Sequence, residues 1–203
     1  DLRNASRQFK VSTSSTYDGF HPRHFAMMSD DALEVYSLII QVSECLCCLP
    51  TAARSVAVAL IPKPKGGDRP IGLYCGLERC AAKARQPLLD KWEAEHLRPY
   101  LACRKGGAAQ DVVWAQAVCA EAQAATDNHA AAVLWDLEAF FDHIDHKELK
   151  ARALRMGMHP VLVEMALQAF SAPRLVQIRE GVAAPMYPTR GVMAGHTWAK
   201  AML

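Results

Sequence analysis

The sequence predicts an α+β fold, and three observations carry that expectation. Residues 55–74 alternate small and apolar positions around a centre rich in Pro, Gly and Lys, which is hairpin patterning. Several longer stretches repeat apolar residues three and four apart, the period of a helix with one covered face. Ala130-Ala131-Ala132-Val133-Leu134-Trp135 has no polar side chain and suits a strand covered on both faces, although periodicity alone leaves a helix open there.

The chain of 203 residues is 51% apolar, enough to bury one core or two closely packed subdomains, so disorder is not expected. Its net charge of +2 is too small to argue for nucleic acid, but basic residues cluster at Lys63, Lys65 and Arg69 and again at Arg98, Arg104 and Lys105. The seven cysteines show no even spacing, and Cys75 and Cys80 lie too far apart for the usual zinc pattern. With no signal peptide and no apolar stretch of transmembrane length, reduced thiols and an intracellular location, in nucleus or cytoplasm, are expected. The chain starts at Asp1, and Lys200-Ala201-Met202-Leu203 still reads as helix, so a fragment is expected.

In chain order, residues 1–16 are polar and rich in Ser, and Tyr17-Asp18-Gly19-Phe20-His21-Pro22 reads as a turn. Ser29 is placed to cap a helix reaching about Leu49, with an apolar face of Leu33, Tyr36, Ile39, Ile40, Val42, Ser43 and Leu46. The hairpin follows, and Pro62, Pro64 and Pro70 place it near a sheet edge, where a missing donor is tolerated. A helix from about Leu77 to Leu97 contains Pro87, and Arg104-Lys105-Gly106-Gly107 opens an Ala-rich helix suited to close packing, from Ala108 to about Thr126. After the apolar run, Asp145 with Glu148 reads as an N-cap and its capping-box partner for a helix from Lys147 to Met156, ending at Gly157. Pro160 starts a helix to Phe170. Leu175–Arg179 and Ala184–Tyr187 read as a second hairpin, and Thr189–Gly195 as the opening of a last helix.

Asp136-Leu137-Glu138-Ala139-Phe140-Phe141-Asp142 is the stretch richest in chemistry. A carboxylate at the carboxyl end of a buried strand is placed to hold Mg²⁺, which prefers oxygen ligands and leaves room for waters and substrate phosphates. Phosphoryl and nucleotidyl transfer with two metals needs a second carboxylate. Asp142 offers one, with loop hydrogen bonding as its ordinary alternative. An unrelated Mg-dependent phosphatase or nuclease could be built on Asp136 and Asp142, but it would leave the basic hairpin without a role.

Taken in order, these segments resemble the reverse transcriptases of retroelements, the RNA-directed DNA polymerases of non-LTR retrotransposons and group II introns. The likeness runs from about Tyr17 to Leu203. Ala59-Leu60-Ile61-Pro62-Lys63-Pro64-Lys65-Gly66-Gly67-Asp68-Arg69-Pro70-Ile71 is similar to the fingers hairpin, and Arg104–Gly107 imperfectly to a template-side basic motif. The segment from Asp136 to His146 is similar to the first palm motif, and Arg190-Gly191 with Gly195 to the second. The implied fold is a partial right-hand polymerase: a polar segment 1–16, a fingers-like region 17–129 with the hairpin at 55–74, and a partial palm 130–203 that stops before the Tyr/Phe-x-Asp-Asp hairpin.

The resemblance implies that Asp136 is the catalytic carboxylate and binds Mg²⁺, or Mn²⁺, with the Leu137 carbonyl as a further ligand. It implies that Lys63 and Arg69 hold the nucleotide triphosphate, Lys65 contacts nucleic-acid backbone, Phe141 is a steric gate against a 2′-hydroxyl, and Gly195 belongs to the nucleotide-supporting motif. Phe140 is the better candidate for a core ring. The implied partners are an RNA template, a DNA primer, deoxynucleotides and the remaining palm and thumb of the same polyprotein, with no membrane. Two departures stand out. Ala194 occupies the usual Gln position, followed by His196 and Trp198 rather than small polar residues, and no Tyr/Phe-x-Asp-Asp hairpin, which carries the family's other palm carboxylates, occurs before Leu203. The piece is therefore expected to be inactive alone, and a non-catalytic nucleic-acid-binding relic of such a polymerase is the alternative.

Overall fold

The computed structural model describes residues 2–97, 107–133, 138–178 and 181–202. Two compact units are present, residues 1–89 with 139–203, and residues 90–138. Helices with a small mixed sheet give a mixed helix and strand content, consistent with the expected α+β class.

In the first unit, the polar N-terminal segment contains α1 (Leu2–Arg7), which buries Ala5 and Ser6. Arg3 fixes it against the 3-10 turn Pro22–Met27 by donating to the carbonyls of Ala26 at 2.7 Å and Met28 at 2.9 Å. α2 (Asp30–Leu46) starts where expected, with the Ser29 hydroxyl accepting from Ala32 N–H, and ends at Cys47, whose φ of +46° turns the chain out of the helix. Its expected apolar face divides. Ile40 and Ser43 are buried, while Ile39, Val42 and Leu46 are exposed, and Glu44 takes the Arg85 guanidinium in a two-pronged pair at 2.6 Å.

β1 (Val56–Pro62) and β2 (Asp68–Leu73) form the expected hairpin, antiparallel and with Ile61 opposite Arg69. β3 (Arg174–Ile178) runs parallel to β1 and pairs only with Val56–Val58, and β4 (Gly181–Val182) closes the order β2-β1-β3-β4. β2 is thus an outer strand, where Pro70 loses no ladder bond to a further strand. α3 (Gly76–His96) contains Pro87. α5 (His146–Arg155) and α6 (Pro160–Phe170) also match expectation, the latter with Pro at its first position.

α6 buries Leu162, Val163, Ala166, Ala169 and Phe170, a three-and-four spacing along one face. Its Ala169, with Ala172, meets Val56 and Val58 of β1, Tyr74 and Met193 to form the core beside the sheet. Complete burial of an apolar side chain such as Phe170 contributes about 1.5–3 kcal/mol.

Asp145 caps α5 by accepting from Lys147 N–H at 2.8 Å and Glu148 N–H at 3.0 Å. Glu148 does not complete the box; its carboxylate takes Arg152 at 2.6 Å. The two amides hold the Asp145 carboxyl below the usual carboxylate range. Its folded pKa lies below its unfolded one, so the stabilisation is fully present above the unfolded value and is lost as pH falls through the folded value. Asp145→Ala is expected to lower the melting temperature at neutral pH, with the gap to the parent closing below about pH 4. Thermal melts across that range check it, and a gap independent of pH would refute the cap as its source.

Three expectations are corrected. The last helix does not form: beyond Gly195 the described chain makes turns, with Ala199 N–H donating to His196 O at 3.2 Å and Met202 N–H to Trp198 O at 3.1 Å. A local bond explains it, since Trp198 N–H donates to His196 Nδ1 at 3.1 Å and leaves the helical ladder. The second hairpin is shorter than expected, and beyond Val182 only an isolated bridge of Met186 with Arg174 remains.

The third correction concerns the second unit. α4 (Ala109–Ala125) forms, but it buries no residue, and Val113, Trp114 and Val118 are exposed rather than packed. Residues 130–133 are exposed and not a strand, because no described strand pairs with them and an unpaired ladder is not maintained. Leu134 and Trp135 of that expected strand, with Asp136 and Leu137 after it, lie outside the described residues, as do Arg98, Arg104 and Lys105. Among the described residues, no helix is long and apolar enough to cross a membrane.

Candidate functional site

The chain at Arg190–Gly195 joins two of the segments singled out in the sequence. On one side, Gly191 N–H donates to Ile144 O and Val192 N–H to Phe141 O, both at 2.8 Å, and His146 Nε2 donates to Gly191 O at 2.8 Å. Gly191 has φ of +89°, and a Cβ there would stand 3.0 Å from the Asp142 carbonyl oxygen. On the other side, Gly72 N–H of β2 donates to Ala194 O at 2.7 Å. Gly195 has φ of +109°, and a Cβ would fall 2.3 Å from Gly72 O and 3.2 Å from Ile71 Cγ2. Only glycine fits such a close backbone approach at that angle.

The same register places the hairpin cations. Ile61 lies opposite Arg69, and Lys63 N–H donates to Gly67 O at 2.9 Å, continuing the pairing one step outward. Lys63 and Arg69 therefore share a face of the ribbon, at the diagonal spacing of about 7–8 Å. Val56, Val58, Gly72 and Tyr74 occupy the opposite, buried face. Ile71, on the face of Arg69, is the residue beside Gly195. Lys63, Lys65 and Arg69 are all exposed, and no ion pair among the described residues involves them. Three unneutralised cations on a narrow ribbon can receive phosphate oxygens.

Phe141 stands in the 3-10 turn Phe140–His143, which begins after Ala139 in the left-handed region at φ +48° and is closed by Asp142 N–H donating to Ala139 O at 2.9 Å. A non-glycine residue held there costs about 1 kcal/mol or more. The expected division between the two rings is corrected: Phe140 is 43% exposed and Phe141 45%, edge to face at 5.9 Å, so Phe140 is not a core ring. Asp136 and Leu137 lie outside the described residues. Among the described residues, no three His, Cys, Asp or Glu side chains converge as a metal site.

Sequence reasoning missed the polar group behind the turn. His196 Nε2 meets Glu78 Oε1 at 2.6 Å, with both side chains buried, and Trp198 Nε1 donates to Ala82 O at 3.0 Å. The signal lay in His196 and Trp198 standing where small polar residues were expected, but their partners on α3 were not legible locally. Tyr74 is buried beside them, its hydroxyl has no hydrogen-bond partner among the described residues, and burial pushes its pKa up. Burial also pushes the Cys75 thiol up to about 11 and the Cys80 thiol up to about 12, so both remain protonated at neutral pH.

Comparison of the chain with family models and with curated proteins gives no match.

Proposed function

We propose that the chain is the fingers and part of the palm of an RNA-directed DNA polymerase, which in its complete form extends a primer 3′-hydroxyl with deoxynucleotides on an RNA template and releases pyrophosphate. The observation that carries this reading is the turn at Arg190–Gly195, hydrogen-bonded at once to the basic hairpin through Gly72 and to the Phe141 segment. Those bonds join the hairpin of Lys63 and Arg69, the Phe141 segment and the glycine turn in one frame, which supports the roles that the resemblance implies for them.

In this reading Lys63 and Arg69 bind the triphosphate, Lys65 contacts nucleic-acid backbone, and the half-exposed Phe141 ring lies against the sugar. Asp136 and the Leu137 carbonyl would hold Mg²⁺, or Mn²⁺, which would supply positive charge for the attacking and leaving oxygens. A second carboxylate is required, and the resemblance places it in a downstream paired-Asp hairpin. The relic reading has one observation in its favour: Ala194 engages Gly72 only through its main chain, and its methyl offers no hydrogen bond where the family has Gln.

Phe141→Ala in the complete protein is expected to raise ribonucleotide over deoxyribonucleotide incorporation by about tenfold or more, the scale of one steric contact in a pocket. Single-nucleotide extension with paired substrates measures it. Unchanged sugar selectivity in an active enzyme would remove the gate, and a complete protein that binds primer–template without extending it would favour the relic.

A further inference from the structure

We infer that His196 and Glu78 are positioning residues that hold the Arg190–Gly195 turn in its substrate-facing shape; this rests on the polymerase reading. The bonds fix the state of the imidazole. Trp198 N–H donates to His196 Nδ1 at 3.1 Å, so Nδ1 carries a lone pair and the ring proton sits on Nε2, aimed at Glu78 Oε1 at 2.6 Å. One neutral ring thus links the carboxylate of α3 to the backbone immediately after the turn, across 118 residues of sequence.

The ring has no freedom to leave. Its side chain is fully buried, and Tyr74 at 4.8 Å, Phe170 at 5.2 Å and Trp198 at 5.5 Å meet it at interplanar angles of 77°, 77° and 78°. Trp198 adds a second tether on the same helix through Ala82 O. His196 and Trp198, which stand where the family pattern has small polar residues, therefore act as one anchor. What they anchor is immediately upstream: Gly195 lies against Gly72 O, Ala194 O holds Gly72 N–H, and Val192 N–H holds Phe141 O. If the anchor is released, the hairpin bearing Arg69 and the segment bearing Phe141 lose their shared reference.

The test uses Glu78→Leu, which removes the acceptor, and Glu78→Gln, which keeps an acceptor oxygen and serves as the conservative rescue. In the complete protein, primer extension is measured well below the melting temperature of each variant. Glu78→Leu is expected to raise the KM for deoxynucleotide about tenfold while changing kcat less than about threefold, and Glu78→Gln to restore most of the loss. Hydrogen exchange gives an arm independent of catalysis. In Glu78→Leu the Gly72 and Val192 amides should exchange at least about tenfold faster, while those of the β1–β3 pairing keep their protection. Unchanged exchange at Gly72 and Val192 overturns the anchor, as does a KM unchanged in both variants of an active enzyme. A parent protein that does not extend primers, together with the expected exchange, sinks the polymerase reading and leaves the anchor standing.

Discussion

Asp136→Asn in the complete protein is expected to cut primer extension by at least about a hundredfold to a thousandfold, while leaving thermal stability within about 0.5 kcal/mol of the parent. Asparagine preserves the shape of the side chain and removes the charge, and a hard divalent cation binds a neutral amide oxygen far less well than a carboxylate. Removing one preorganised electrostatic contact from an active site costs about 10²–10³ in rate, and the group lost here would touch the metal itself. Stability should barely move because the substitution keeps the size and shape of the side chain and removes only its charge. Primer extension beside thermal melts makes the separation. Undiminished synthesis would take Asp136 out of the mechanism, and a large loss of stability would recast it as a structural residue.

The elements legible in the sequence were those whose determinants are local. Gly66 and Gly67, both at positive φ, with alternation on either side, specified the hairpin and its tip. Ser29, Asp145 and Pro160 marked the starts of α2, α5 and α6 within a residue or two. The misreadings involve partners distant in sequence. Composition showed that α4 and residues 130–133 are apolar, but burial depends on a neighbour that local pattern cannot supply. The final helix was lost when Trp198 N–H took His196 Nδ1, on a ring held in turn by Glu78, a partner that no window of residues around Gly195 contains. Of the candidate site, Lys63, Arg69, Phe141 and Gly195 fall on one hydrogen-bonded frame, and Asp136 and Leu137 lie outside the described residues.

Gly195→Ala should be the most destabilising single methyl added to the turn, for two separable reasons. The first is conformational: φ of +109° is outside the left-handed region that alanine tolerates, a strain of about 1–3 kcal/mol. The second is steric: the new Cβ would sit 2.3 Å from Gly72 O, a strand carbonyl that cannot rotate aside as a side chain would, which adds about 1–3 kcal/mol of overpacking. Together they predict a loss of about 2–6 kcal/mol and a melting temperature lower by about 10 °C. Gly66→Ala separates the terms, since Gly66 has φ of +90° but open space around its Cβ position, and should show the conformational cost alone. Equal losses in the two variants would mean that the turn is not pressed against β2. A larger loss at Gly195, with faster exchange of the Gly72 amide, would locate the damage at the contact that ties the glycine turn to the basic hairpin.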